Sequence, residues 1–165
     1  MGCASTTNGP RVAAAEKYVG EWKSAEGVFV NCFRRADDVY VLRSNRSGVD
    51  RVTEGELIDV EGTVMLKVKV YEPTGEEAAK GMVPLYIFGV LSQKGDVLKH
   101  TPIRAAWLAK AMREHGEGQY IGTNQAVPGT GVGITPDWPT MEHLLRDAVT
   151  EEGALGGTET FERVK

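Results

Sequence analysis

No stretch of this sequence is long and apolar enough to cross a membrane as a helix. The longest apolar run, Val83–Leu91, is broken by Pro84 and Gly89, whereas a helical span needs about 18 or more consecutive apolar residues. That run reads instead as a buried strand. The N-terminus as given has no apolar signal-peptide core. Cysteine is scarce, with two in 165 residues, which excludes a disulfide-built scaffold. Cys3 sits in a leader of small and polar residues and Cys32 in an apolar, strand-like run. A bond between them is disfavoured, and Cys32 reads as a small buried hydrophobe. Basic excess is lacking as well: the net charge is −4. The local groups Arg34-Arg35 and Arg43, Arg46 and Arg51 are interleaved with Asp37, Asp38, Asp50 and Glu54. Neutralising a phosphate backbone takes a clustered Lys/Arg surplus, so nucleic acid is excluded as a partner. These arginines read as solvated strand faces.

Recognisable catalytic spacing is missing too. His100, His115 and His143 are scattered, none with a second ligand at zinc spacing, and read as surface or helix-end residues. Glu142-His143 lacks the preceding histidine of a metalloprotease helix. Gly129-Thr130-Gly131-Val132-Gly133 follows a proline and leads into Thr135-Pro136, so no strand or helix flanks it to place a helix N-terminus on a pyrophosphate. Neither a P-loop nor a nucleophile elbow occurs. The acid pairs Asp37-Asp38, Glu76-Glu77 and Glu151-Glu152 fall in turn-like or helix-end stretches and read as solvating groups. Trp22, Trp107 and Trp138 read as packing residues. No catalytic residue, metal ligand or cofactor is therefore assigned.

What is present is a series of short strands. Val28–Phe33 leads through Ala36-Asp37-Asp38 into Val39–Arg43, and Asn45-Arg46-Ser47-Gly48 forms the next turn. Val52–Val60 is linked by Glu61-Gly62 to Thr63–Tyr71, whose alternation puts Val64, Leu66, Val68 and Val70 on one face and Lys67 and Lys69 on the other. That alternation predicts one buried and one wet face. A polar loop over Glu72–Gly81 precedes Val83–Leu91, and Gln93-Lys94-Gly95-Asp96 turns the chain into Val97–Ile103. Helices are predicted over Arg104–Glu114, with Ala105, Leu108, Ala109 and Met112 at helical spacing, and from Pro139 to residue 151, with Met141, Leu144, Leu145 and Ala148 on one face. Between them lies a Gly-rich connection, Gly116–Pro136, with Tyr120, Ile121, Val132 and Ile134 as its anchors. A last strand covers Thr158–Val164. The whole predicts a mostly-β single domain over 17–165, an antiparallel meander curling into a barrel or half-barrel with two added α-helices. An α+β fold with an open antiparallel sheet is the alternative.

The opening Met1-Gly2-Cys3-Ala4-Ser5-Thr6-Thr7-Asn8-Gly9-Pro10 resembles the mature start of bacterial lipoproteins, in which a Cys after a small residue receives a diacylglyceryl group. The resemblance implies Cys3 as the lipid attachment site, residues 1–16 as a flexible leader and a lipid-anchored place in the cell envelope. Met1-Gly2-Cys3-Ala4-Ser5-Thr6 also fits the N-myristoylation pattern. That reading moves the acyl chain to Gly2, with Cys3 as a palmitoylation site, and the protein to the cytoplasmic face of a eukaryotic membrane. Tyr18-Val19-Gly20-Glu21-Trp22 resembles the Gly-x-Trp opening of lipocalin-like barrels, where Trp packs across the barrel bottom and Gly permits close backbone approach. With Asp96-Val97-Leu98, Ala105-Ala106-Trp107-Leu108, the helix around Thr135–Leu145 and a closing Glu-Arg-Val strand, the chain is similar to uncharacterised lipocalin-like bacterial lipoproteins. The resemblance implies Gly20 and Trp22 as the barrel-opening motif and a small apolar ligand or an envelope protein as partner. A hydrolase using carboxylates or His100 in the barrel mouth is the enzymatic alternative.

Overall fold

The computed structural model describes residues 15–35, 39–80, 85–115, 132–133 and 138–165. The leader with Gly2 and Cys3, the turn at Ala36-Asp37-Asp38 and most of the Gly-rich connection lie outside these residues. A 3-10 turn, Ala15–Tyr18, leads into strands β1 (Gly20–Ser24), β2 (Phe29–Arg34), β3 (Tyr40–Arg46), β4 (Val49–Val60) and β5 (Thr63–Tyr71). Helix α1 (Gly75–Ala79) precedes β6 (Leu85–Lys94) and β7 (Val97–Pro102). Helix α2 (Ala105–His115), the short β8 (Val132–Gly133) and α3 (Trp138–Thr150) follow, and β9 (Glu159–Arg163) ends the series.

Each strand from β1 to β7 pairs antiparallel with the next, β9 inserts between β7 and β1, and β5 pairs with β6. The result is a closed antiparallel barrel of eight strands, with β8 lying alongside the first residues of β6. The open-sheet alternative is thereby replaced. Closure leaves no unpaired edge among the eight strands, which removes the template for intermolecular pairing.

Two hairpins show how the chain sets register. Ser47-Gly48 and Glu61-Gly62 both adopt positive φ at both positions, the combination that matches the right-handed twist of the strands they join. The tight turn at Ser47-Gly48 lets β3 run on to Arg46 and β4 begin at Val49, so both strands are longer than the turn cluster at Asn45 predicts. A second difference is α1, which stands where a polar loop is predicted. Thr74 and Glu77 form a reciprocal capping box: Thr74 Oγ1 accepts from the Glu77 amide at 3.2 Å, and Glu77 accepts from the Thr74 amide at 3.0 Å.

The barrel carries apolar side chains on both sides of its wall. Outside, α2 and α3 lay Leu108, Met112, Leu144, Leu145 and Ala148 against Ile58, Met65 and Phe88 of β4–β6. Burying one such leucine is worth about 1.5–3 kcal/mol. This layer corrects the expected wet face of β5: Met65 is fully buried and Lys67 only 3% exposed. Lys67 lies 4.4 Å from the centre of the Tyr86 ring and 3.9 Å from Glu56, and burial lowers its pKa against the opposing pull of Glu56. The two ends of the helical excursion are stitched together where it leaves and rejoins the barrel. Ile103 bridges to Leu155, Arg104 donates to the Ala154 carbonyl, and Gly156 donates to the Pro102 carbonyl.

Candidate functional site

Strand alternation decides what faces the lumen. Leu42, Leu57, Leu66, Val68, Ile87 and Leu91 project inward from β3 to β6 and surround a cavity of about 330 Å³. Val30, Leu98 and Phe161 continue the apolar lining on the other side. This volume sits at the lower end of the range of small-molecule sites.

One end of the barrel is closed. The 3-10 turn lies there, Tyr18 is buried, and the fully buried Trp22 donates its indole N–H to the Tyr18 carbonyl at 3.1 Å. Arg163, from β9, reaches beneath β1 to the same turn. Gly20 makes that possible: its φ is +136°, and a Cβ placed on it would stand 2.6 Å from Arg163 Nη1. Gly20 and Trp22 thus belong to the barrel floor.

The opposite end carries the polar groups. The β3–β4 hairpin and the β7–β9 connection both lie there, and Arg46, Arg51, Ser44, His100 and Glu159 line the cavity beneath them. Arg46 holds both carboxylate oxygens of Glu159, at 3.2 and 3.0 Å. His100 sits directly across from Glu159 in the β7–β9 ladder. Its ring rests on Gly89 of β6, where a Cβ would collide with the imidazole. Burial pushes the His100 pKa down, and Glu159 opposes that with a smaller upward pull. Cys32 is also in the lining, its thiol pushed up to about 11 by burial.

Several sequence expectations change here. His100 is a lumen residue, not a surface or helix-end histidine, because it shares the inward face of β7 with Leu98. Arg46 and Arg51 do reach water, but from the cavity mouth, whereas Arg43 stands over the Phe33 ring, 5.7 Å from its centre. His143 is on α3 with its ring 3.4 Å from Asp147. The sequence reading did not single out Ser44 or Glu159. Period-2 spacing carried the signal: Leu42-x-Ser44-x-Arg46 on β3 and Glu159-x-Phe161-x-Arg163 on β9. No group of three or more His, Cys, Asp or Glu suited to a metal occurs among the described residues. No family model, curated protein or solved structure matches the chain.

Proposed function

We propose that this protein is a non-enzymatic binding protein whose barrel lumen holds one small, largely apolar ligand. The observation that carries this reading is the cavity of about 330 Å³, lined mainly by aliphatic and aromatic side chains, with charged groups confined to one end. Removing apolar ligand surface from water contributes about 25 cal/mol per Å², and the polar mouth supplies orientation. The hydrolase alternative is less well supported. Glu159 is engaged by Arg46, and among the described residues no nucleophilic side chain hydrogen-bonds to His100.

The Met1-Gly2-Cys3 leader supports a second part of the proposal, attachment to a membrane through lipid, with Cys3 in a bacterial envelope lipoprotein as the preferred site and Gly2 as the alternative. The likeness to lipocalin-like lipoproteins supports the same address. The mass of the N-terminal peptide from native membranes tests it: a diacylglyceryl or triacyl adduct on Cys3 is expected, and a bare terminus overturns it.

For the lumen, calorimetric titration with octanol is the direct test. Saturable binding at one molecule per chain is expected, lost when Val68→Phe and Leu57→Trp fill the cavity while the fold persists by circular dichroism. No heat from the unaltered protein, or equal binding by the filled variant, would overturn the reading.

A further inference from the structure

We infer that the ligand is an anionic amphiphile, a medium-chain carboxylate, whose head is held at the barrel mouth by Arg51 and whose chain lies along the lumen. This rests on the lumen-binding reading above and adds the chemical class.

The charge arrangement at the mouth is the first support. The ionised side chains lining the cavity are Arg46, Arg51 and Glu159. Arg46 and Glu159 neutralise each other, one guanidinium nitrogen donating to both carboxylate oxygens. Arg51 has no ion pair among the described residues, so the mouth keeps one uncompensated guanidinium. Its sequence neighbour Asp50 does not serve it. Strand alternation turns Asp50 to the other face, where its carboxylate accepts from Asn45 Nδ2 at 2.6 Å. His100 adds no negative charge, and its burial favours the neutral ring.

Position is the second support. Arg51 stands directly opposite Ser44 in the β3–β4 ladder, and both line the cavity, so a hydroxyl lies on the neighbouring strand. The hairpin that carries them is braced from outside the barrel: Asn45 binds Asp50 and its Oδ1 accepts from the Gly48 amide at 3.2 Å. Beyond Thr53, the next inward residues along β4 and β5 are apolar: Leu57, Leu66 and Val68. A molecule with its anion at Arg51 therefore meets a mainly aliphatic and aromatic wall inward of the mouth.

Arginine suits a carboxylate better than a point anion, because the planar fork offers paired donors to two oxygens. The cavity of about 330 Å³ lies at the lower end of small-molecule sites, which makes a medium-chain acid such as octanoate the probe of choice.

Calorimetric titration of the intact protein with octanoate, octanol and octylammonium separates this inference from the reading beneath it. Octanoate is expected to bind roughly tenfold more tightly than octanol. Arg51→Gln is expected to erase that preference, so that octanoate binds no more tightly than octanol, and Arg51→Lys to restore part of it. Octanol and octanoate binding equally, a preference that survives Arg51→Gln, or tightest binding of octylammonium would each overturn the carboxylate assignment and leave the apolar lumen intact. Failure of all three to bind would overturn both.

Discussion

Arg163 lies across Trp22, its guanidinium carbon 4.3 Å from the centre of the indole system, while its two terminal nitrogens each donate at 2.9 Å, to the carbonyls of Val19 and Lys17. One side chain from the closing strand thus covers the largest buried side chain of the opening strand and fastens the turn before it. Charge-assisted hydrogen bonds contribute about 1.5–3 kcal/mol, and a cation over an indole about 0.5–2 kcal/mol. Arg163→Met is expected to lower stability in urea by about 2–3 kcal/mol, and Trp22→Ala by about 3–5 kcal/mol. The double variant is expected to lose less than the sum, since the two share one contact.

Gly20 admits that arginine at a backbone angle that L side chains rarely adopt. Gly20→Ala is expected to cost about 1–3 kcal/mol, measured by thermal or urea unfolding. In the Arg163→Met background the steric part of the cost disappears and the backbone part stays, so the penalty shrinks without vanishing.

Gly89 and His100 form a size pair across the lumen wall. Gly89→Ala drives a methyl group into the imidazole, and overpacking of this kind costs about 1–3 kcal/mol. His100→Ala in the same chain makes room for it. The melting temperature of the double variant is expected to lie above that of Gly89→Ala alone.

Stability is expected to fall on acidification, through His100. Its folded pKa is depressed, first by burial, below the ordinary value of about 6.5. As the pH drops below that value, the unfolded chain takes up a proton that the folded chain resists, which favours unfolding. The contribution is complete above about pH 6.5 and is lost progressively below it. Melting curves from pH 8 to pH 5 are expected to show a steeper decline for the wild type than for His100→Gln; parallel curves would remove this role.

Cys32 is expected to be inert. A buried thiol pushed up to about 11 holds almost no thiolate at neutral pH. In a Cys3→Ser variant, a thiol reagent at pH 8 should label nothing until denaturant is added, and then one group per chain.

Much of the barrel was legible because period-2 alternation and turn residues are local signals. Thr63–Tyr71 is read to the residue, and Glu61-Gly62 announces its hairpin. The environment of each face was less legible. Lys67 alternates with valines and leucines, yet its face is covered by helices whose docking is set far along the chain. His100 was read as a solvated residue, and only the hydrolase alternative put it in the barrel mouth, for a related reason. Its place in the lumen depends on β9, distant in sequence, pairing with β7 and curling the sheet around it. The mouth charges share this dependence, because Arg46 meets Glu159 only after closure. The capping box at Thr74 and Glu77 was a local signal that the loop-like composition around it obscured.

The position of β9 has a consequence for how the protein is made. The strand that seals the barrel, supplies Arg163 to the floor and brings Glu159 to the mouth follows the whole helical excursion, so translation delivers it after the other seven strands of the barrel. Until it emerges from the ribosome, β1 and β7 each present a bare row of amides and carbonyls, and the lumen is open along its side. Such non-local pairing is slow to form, and a nascent chain halted before Glu159 carries two adhesive edges. Helix α2 precedes β9 by more than forty residues, so part of the cover over the outer face of β4–β6 is synthesised before the barrel can be sealed. Chaperone demand during synthesis should therefore persist until β9 arrives to pair with β1 and β7.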